Sequence, residues 1–189
     1  MSGNVVSNDW FYTYEDYCKI DDDKRYEVIN GVIYLMTAPN MIHQRISSNL
    51  HGIFWRYLRG KKCEVFHAPF DVLLPKKDEP SQKSSNIVQP DISIVCDREK
   101  LKKRGCFGSP DLIVEILSPS TSKRDMKEKF SLYQEHGVKE YWVVDPFNQI
   151  ISRFGYEERS KEYQKPEYFV RDETITPLIF PDLQIKLEE

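Results

Sequence analysis

The stretch Asp111-Leu112-Ile113-Val114-Glu115-Ile116-Leu117 decides how this chain is interpreted. It is an apolar run interrupted by Glu115 and closed by Ser118-Pro119, a pattern typical of a buried strand. Because side chains alternate between the two faces of a strand, Glu115 shares a face with apolar neighbours. A charged carboxylate in such surroundings is costly unless a cation pairs with it or a metal binds it. The stretch therefore predicts a core strand that carries a functional acid.

A second carboxylate, Asp91, stands at the start of another apolar run, residues 92–95, directly after Pro90. If the two strands pair, Asp91 and Glu115 come together, and two such carboxylates repel each other unless a hard cation lies between them. This pattern indicates a site for a magnesium-type ion. The alternative is that a buried Lys or Arg neutralises Glu115 while Asp91 caps a turn, and spacing alone leaves both open.

Composition favours one ordered globular domain over residues 1–189, with residues 1–11 as a loose leader. No apolar stretch approaches the ~20 residues that span a bilayer, and the N-terminus has no signal-peptide pattern. The net charge of −3 gives no overall basic footprint for nucleic acid, and the short basic runs are typical of solvated faces.

The four cysteines, Cys18, Cys63, Cys96 and Cys106, are scattered and form no CxxC pair. This spacing argues against a zinc site and against a disulfide framework. We therefore predict four reduced thiols in a cytoplasmic protein.

The N-terminal half predicts a short helix capped by Thr13 and then a β-hairpin turning at Asn30-Gly31. Glu27 lies in the first hairpin strand, either as an exposed strand acid or in a catalytic role. Residues 39–59 show a helical apolar stripe, and His43 lies on its buried face near the helix start. His43 is either a satisfied core histidine or a side chain that points into a site.

The polar residues 75–86 predict a mobile loop just before Asp91, and residues 97–108 predict a charged helix or loop. A helix is expected over residues 123–136, with Gly137 as its C-terminal cap. Lys129 lies on or beside the inward stripe of this helix, where it could reach the Glu115 strand. The alternative is a surface pair between Lys129 and Asp125.

Residues 140–146 predict a strand parallel to the Glu115 strand, reached by the right-handed crossover through that helix. The polar, aromatic remainder predicts a C-terminal β-meander. An α/β chain with a mixed sheet is the resulting fold class.

Four motifs together resemble the Uma family of proposed endonucleases, which belongs to the PD-(D/E)XK nuclease superfamily. They are Gln89-Pro90-Asp91, the run from Asp111 to Thr121, Asp125 with Lys129, and the run from Gly137 to Asp145. The resemblance covers roughly residues 12–187. It implies a restriction-endonuclease-like α/β/α core with a mixed central sheet, an N-terminal hairpin and a C-terminal meander.

The same resemblance implies that Asp91 and Glu115 hold Mg²⁺, helped by the backbone carbonyl of Ile116, with Mn²⁺ able to substitute. The superfamily's lysine normally stands two residues after the second acid, where this chain has Leu117. Lys129 of the following helix is then the candidate that replaces it. Glu27 and His43 are similar to further polar site residues of the family.

These residues fit a Mg²⁺-dependent endonuclease that hydrolyses phosphodiester bonds in DNA, as a homodimer with one site for each strand. An alternative is a nuclease-fold protein that binds nucleic acid or a protein partner without cleavage, which Leu117 and the acidic balance favour. A third possibility is a metal-dependent hydrolase of another phosphate ester.

Overall fold

The structure, a computed structural model, describes residues 5–7, 10–118 and 125–187. The strands are β1 Val5–Ser7, β2 Tyr26–Ile29, β3 Val32–Leu35, β4 Glu64–His67, β5 Asp71–Leu73, β6 Ile87–Val88, β7 Ile92–Val95, β8 Leu101–Lys102, β9 Gly105–Phe107, β10 Leu112–Ile116, β11 Glu140–Asp145, β12 Ile150–Glu157, β13 Glu162–Tyr163, β14 Glu167–Val170, β15 Thr174–Ile175 and β16 Ile185–Lys186. The helices are α1 Tyr14–Tyr17, α2 Met41–Leu58 and α3 Phe130–Glu135, and the π-helical turn Asp125–Lys129 leads into α3.

Within the described ranges the strands form two seven-stranded sheets and a separate β15–β16 pair. The first sheet has the order β1-β3-β2-β6-β5-β9-β8. The second has the order β13-β12-β11-β10-β7-β4, with β14 also paired to β12. The second sheet is mixed, because β10 runs parallel to β11 and antiparallel to β7. This architecture confirms the predicted α/β class with a mixed central sheet.

The pairing of β7 with β10 places the two predicted acids opposite each other. Val114 pairs with Ile92 in the antiparallel register, so the next step of the ladder sets Glu115 across from Asp91. On its other side β10 pairs with β11 in parallel, with Glu115 beside Val143. The crossover from β10 through α3 to β11 is the predicted strand–helix–strand unit.

The central sheet is covered by a helix on each face. Leu50 and Phe54 of α2 pack in the same apolar cluster as Val114 of β10. Ile113, on the opposite face of β10, packs in a second cluster with Tyr133 of α3. Alternating side chains of one apolar strand therefore supply both cores, as expected for a strand buried on both faces. In residues 10–118 and 125–187, none of the helices combines the length and apolar character of a bilayer-spanning segment.

The N-terminal hairpin forms as predicted. Asn30 and Gly31 both have positive φ, 50° and 77°, as a tight two-residue hairpin turn requires. Thr13 caps α1 and forms a capping box with Asp16.

The prediction of a mobile loop over residues 75–86 is wrong at the loop's end. Ser84, Ser85 and Asn86 are fully buried. The Asn86 side chain accepts from the backbone N–H of Asn30 and donates to the Leu74 carbonyl. The Asn86 side chain therefore satisfies backbone groups of the hairpin turn and of Leu74, which follows β5. Loop composition does not reveal such a role.

Residues 97–108 also differ from the predicted charged helix or loop. They contain one 3₁₀ turn, Arg98–Lys100, and the paired strands β8 and β9. The strand β9 is recruited by parallel pairing to β5, a long-range contact that overrides local propensity.

The prediction of four reduced thiols is wrong for two of the cysteines. Cys63 and Cys96 form a disulfide, whereas Cys18 and Cys106 are free thiols. The bond joins residues 33 apart in sequence. Glu64 pairs with Val95, so the flanking cysteines lie across from each other on antiparallel strands. Sequence spacing could not show this, because it depends on which strands become neighbours.

We predict that reducing the Cys63–Cys96 bond lowers the free energy of unfolding by about 2–4 kcal/mol, because the cross-link restricts the unfolded chain. Denaturant unfolding with and without dithiothreitol measures the change. Cys18→Ser is the matched control and leaves the midpoint unaltered. Equal midpoints under oxidising and reducing conditions would contradict the prediction.

We also predict that Gly52→Ala stabilises the protein by about 0.5–1 kcal/mol, because glycine is costly inside a helix. A Cβ at this position of α2 would meet nothing within 4 Å. Gly31→Ala is the contrast: its φ of 77° and the Phe11 ring oppose a side chain, so it destabilises. Thermal unfolding of both variants checks the opposite signs, and a destabilised Gly52→Ala would refute the argument.

Candidate active site

Lys129 is buried against the central sheet. It ends the π-helical turn before α3, and only 2% of it is exposed. Its Nζ lies 2.9 Å from Oε1 of Glu115 and 2.8 Å from Oε1 of Glu27. The side chain therefore points inward to the strand that carries Glu115, the first of the two alternatives raised above. Single-turn π-helices are frequent at functional sites.

Glu27 and Glu115 are as deeply buried as the lysine between them, with exposures of 0% and 3%. Of the two alternatives for Glu27, the exposed strand acid is therefore wrong, because β2 is buried in the first sheet. Glu27 Oε1 also accepts from the backbone N–H of Gln89 at 2.9 Å. Buried charges persist only when they are paired and hydrogen-bonded, and here one ammonium serves two carboxylates.

Tyr133 of α3 completes the surroundings of Glu115. Its hydroxyl donates to Glu115 Oε1 at 2.6 Å, the same oxygen that receives Lys129. Burial, followed by the negative charge of Glu115, raises the pKa of Tyr133 well above its usual value. The phenol therefore stays protonated and acts as a fixed hydrogen-bond donor.

Asp91 and His43 form a second contact group at the end of β10. Asp91 Oδ2 accepts from the backbone N–H of Ile116 at 2.7 Å and lies 3.1 Å from His43 Nε2. The side chains of His43 and Asp91 are 12% and 15% exposed, more than those of the lysine group. His43 comes from the first turn of α2, whose start is capped by the Asn40 side chain.

Gln89 holds the segment before Asp91, a role that sequence reasoning missed. Its Oε1 accepts from Nε and Nη2 of Arg25, at 3.0 and 2.8 Å. Its Nε2 donates to Asp71 Oδ1 at 2.9 Å and to the Tyr17 hydroxyl at 3.2 Å. Burial raises the pKa of Asp71. The only sequence signal was that Gln89 directly precedes Pro90-Asp91, since the partners are far away in the chain.

The two contact groups meet at one peptide unit. Lys129 binds both Glu27 and Glu115. Asp91, which also contacts His43, accepts from the backbone N–H of Ile116, the next residue of β10. The sequence-predicted site residues are thus brought to one end of one strand.

The structure also shows the contacts expected if the site binds no metal, the alternative raised from the sequence. Glu115 is neutralised by a buried lysine, and Asp91 accepts a backbone N–H. Among residues 10–118 and 125–187, no three side chains of His, Cys, Asp or Glu gather as a metal-binding group. The ligand set implied by the resemblance has two such side chains and one backbone carbonyl.

Comparison with known proteins identifies the family of this chain. Residues 11–188 match the model of the Uma2 family, described as "Putative restriction endonuclease". The chain belongs to the Uma2 family. That family match was the one expected from the motifs around Asp91, Glu115 and Lys129.

Two relatives come from Synechocystis. The uncharacterised protein slr1290 is 31% identical over 132 residues, which cover 69% of this chain and 66% of that relative. The uncharacterised protein sll1609 is 22% identical over 155 residues, which cover 79% of this chain and 84% of that relative. This chain therefore spans just under two thirds of the first relative's length.

A solved structure shares the fold. It is the crystal structure of a "putative nuclease belonging to DUF820" from Anabaena variabilis, with a TM-score of 0.73 and 20% identity. The match covers 93% of this chain and 95% of that one. The restriction-endonuclease-like fold predicted from the sequence is confirmed.

In this Uma2 member Leu117 stands where the superfamily's lysine is expected. Its backbone N–H donates to the Val144 carbonyl at 2.8 Å, and its side chain packs against the apolar cluster of Ile113 and Tyr133. Leu117 therefore extends the core and offers no cation. The cation beside Glu115 is supplied by Lys129 of the next helix instead.

We predict that Lys129→Ala lowers the free energy of unfolding by about 3–5 kcal/mol, because it leaves Glu27 and Glu115 buried without their shared cation. Lys127→Ala is the matched control from the same turn. Lys127 is exposed, so its removal changes stability by less than about 0.5 kcal/mol. Urea unfolding of both variants at neutral pH makes the comparison.

Adding Glu27→Gln to Lys129→Ala removes one of the two buried carboxylates that the lysine substitution leaves without a cation. The double variant therefore recovers part of the lost free energy of unfolding. A double-mutant cycle measures this coupling between Glu27 and Lys129. A Lys129→Ala protein as stable as the Lys127→Ala control would contradict the buried ion cluster.

Proposed function

We propose that this Uma2 protein is a Mg²⁺-dependent endonuclease that hydrolyses phosphodiester bonds in DNA. The observation that carries the proposal is the meeting of two carboxylates and a lysine at the end of β10. Glu115 stands across the ladder from Asp91, and Lys129 is bound to Glu115 at 2.9 Å. This combination of acids and an ammonium is what metal-assisted phosphodiester hydrolysis requires.

The oxygen donors available at this point suit Mg²⁺. Carboxylates of Asp91 and Glu115 and the backbone carbonyl of Ile116 are the hard ligands that Mg²⁺ prefers, and Mn²⁺ accepts the same set. Asp91 and His43 are partly exposed, so an ion has access to the site from solvent. A bound ion would lower the pKa of a water molecule and neutralise negative charge on the phosphate.

The protein's own groups have separate tasks in this proposal. Lys129 places a positive charge beside the reacting water and phosphate. Glu27 holds the lysine ammonium together with Glu115. His43 orients the Asp91 carboxylate, and the Tyr133 hydroxyl orients that of Glu115.

A second candidate function is binding of nucleic acid or a protein partner without cleavage. The specific observation in its favour is that Lys129 is only 2% exposed and is already bound by two carboxylates. An ion cluster of this kind also occurs as a purely structural element of a core.

We further propose a homodimer with one site for each strand of a DNA duplex. Light scattering of the purified protein tests this assembly, since the monomer mass is 22.4 kDa. A single monomeric species at all concentrations would contradict it.

The test of the main proposal is cleavage of supercoiled plasmid in Mg²⁺ or Mn²⁺ by wild type, Asp91→Asn, Glu115→Gln and Lys129→Ala. We expect cleavage by wild type and a loss of at least about 100-fold in each variant. Lys127→Ala is the control and retains wild-type cleavage. Circular dichroism of each variant shows whether it is folded at the assay temperature.

The outcomes separate the candidates. Equal cleavage by wild type and Asp91→Asn would place the activity elsewhere or in a contaminant. A wild-type protein that binds DNA without cutting plasmid or oligonucleotides in either metal would favour the binding function. Metal-induced stabilisation of wild type that is lost in Asp91→Asn would support the ion site independently of activity.

A further inference from the structure

Positive charge is concentrated in one segment of this acidic chain. Residues 28–63 contain five of the 27 Lys and Arg residues and none of the 30 Asp and Glu residues. The rest of the chain, with 22 basic and 30 acidic residues, has a formal charge of −8. This segment includes all of α2, so the helix carries no acidic side chain.

The outward face of α2 presents three of these cations. Arg45, Arg56 and Arg59 are exposed, on the side opposite Leu50 and the other apolar residues that pack on the sheet. In residues 10–118 and 125–187 these arginines form no ion pair. With a rise of about 1.5 Å per residue, Arg45 and Arg56 are roughly 16 Å apart along the helix.

Two acids near the C-terminal end of the helix, Asp182 and Glu64, have partners of their own. Asp182 accepts from the Tyr57 hydroxyl and lies 3.7 Å from Lys61. Glu64 pairs with Arg98 at 3.0 Å. Neither contact involves the three arginines of the outward face, so their charge is available to a partner.

The middle of this face is unusually open. Ser48, Asn49 and Gly52 lie between the arginines and are all exposed. Gly52 has nothing within 4 Å of where a Cβ would stand, so packing inside the protein does not require glycine. The position is destabilising for the helix and fits instead the close approach of an external partner.

An exposed aromatic ring borders the same face. Trp55 is 54% exposed, and the Arg59 guanidinium lies 5.7 Å from its ring centre. Tryptophan and arginine together suit contact with nucleotides, through stacking and phosphate binding.

We propose that the outward face of α2, formed by Arg45, Ser48, Gly52, Arg56 and Arg59, binds the phosphate backbone of a nucleic acid. This inference rests on the proposed function and extends it to a binding surface outside the active site. His43 contacts Asp91 from the inward side of the same helix. A polymer that occupies both places therefore passes over the N-terminal end of α2 and continues along the helix toward Arg59.

The test is fluorescence anisotropy of labelled 40-base-pair DNA in EDTA, where binding is measured without cleavage. The variant Arg45→Gln/Arg56→Gln/Arg59→Gln removes the three charges. The control Arg159→Gln/Lys161→Gln/Lys165→Gln removes three exposed charges from the β12–β13 region, an equal change in net charge. The titrations are repeated between 50 and 200 mM salt.

We expect the α2 variant to bind at least about tenfold more weakly at 50 mM salt, with a plot of log K against log salt that is shallower by about 2–3. The control triple variant changes little. Where wild type cleaves, the α2 variant has a raised KM for the 40-mer, because weaker binding of the phosphate backbone lowers the affinity for substrate.

Equal weakening by both triple variants would assign the effect to net charge and overturn the proposal. Absence of DNA binding by wild type would overturn it also. A change in oligomeric state of the α2 variant, with DNA binding intact, would identify the face as a contact between copies. Binding without any cleavage by wild type would leave this surface standing while the nuclease proposal fails.

Discussion

The ion cluster of Lys129 with Glu27 and Glu115 is the constraint on which the rest of the structure depends. It joins β2 of the first sheet, β10 of the second and the turn that leads into α3. Each carboxylate alone would be too costly to bury, and the lysine alone likewise. The buried cluster is therefore satisfied only when all three elements are in place, and it holds the hairpin and the crossover helix against one strand.

The same cluster determines the chemistry available at the end of β10. Glu115 receives Lys129 and Tyr133, and the next backbone N–H, of Ile116, is bound by Asp91. An ion held by Asp91 and Glu115 would share one carboxylate with the lysine. Structural stability and the proposed catalysis are thus coupled through Glu115, so stability must be measured beside activity in every variant.

Much of this arrangement could be predicted from the sequence, because it follows from local sequence patterns. A single acid in an apolar run indicated that Glu115 is buried in a strand, and Asn30-Gly31 identified the hairpin. Helical periodicity placed Lys129 on or beside the inward stripe of its helix but left a surface pair with Asp125 as an alternative. The features that could not be predicted depend on which elements become neighbours in the folded protein. The Cys63–Cys96 bond needed the pairing of β4 with β7, which spacing does not give.

Some polar contacts around the site could not be predicted, for the same reason. Gln89 binds Arg25 and Asp71, 64 and 18 residues away in the chain. The strand pattern left Glu27 either exposed or in a catalytic role, and its burial follows from the position of β2 between β3 and β6. Side chains that satisfy long-range hydrogen bonds have no periodic signal, whereas those that fill a helix stripe or a strand face do.

The central claim is that an ion binds between Asp91 and Glu115 while Lys129 remains on Glu115. A crystal grown with Mn²⁺, with data collected for anomalous scattering, tests it most directly. The account predicts one anomalous peak in contact with both carboxylates and the Ile116 carbonyl, at roughly 2.0–2.3 Å. An ordered site with no peak there at saturating Mn²⁺, and the Lys129–Glu115 pair intact, would contradict the claim.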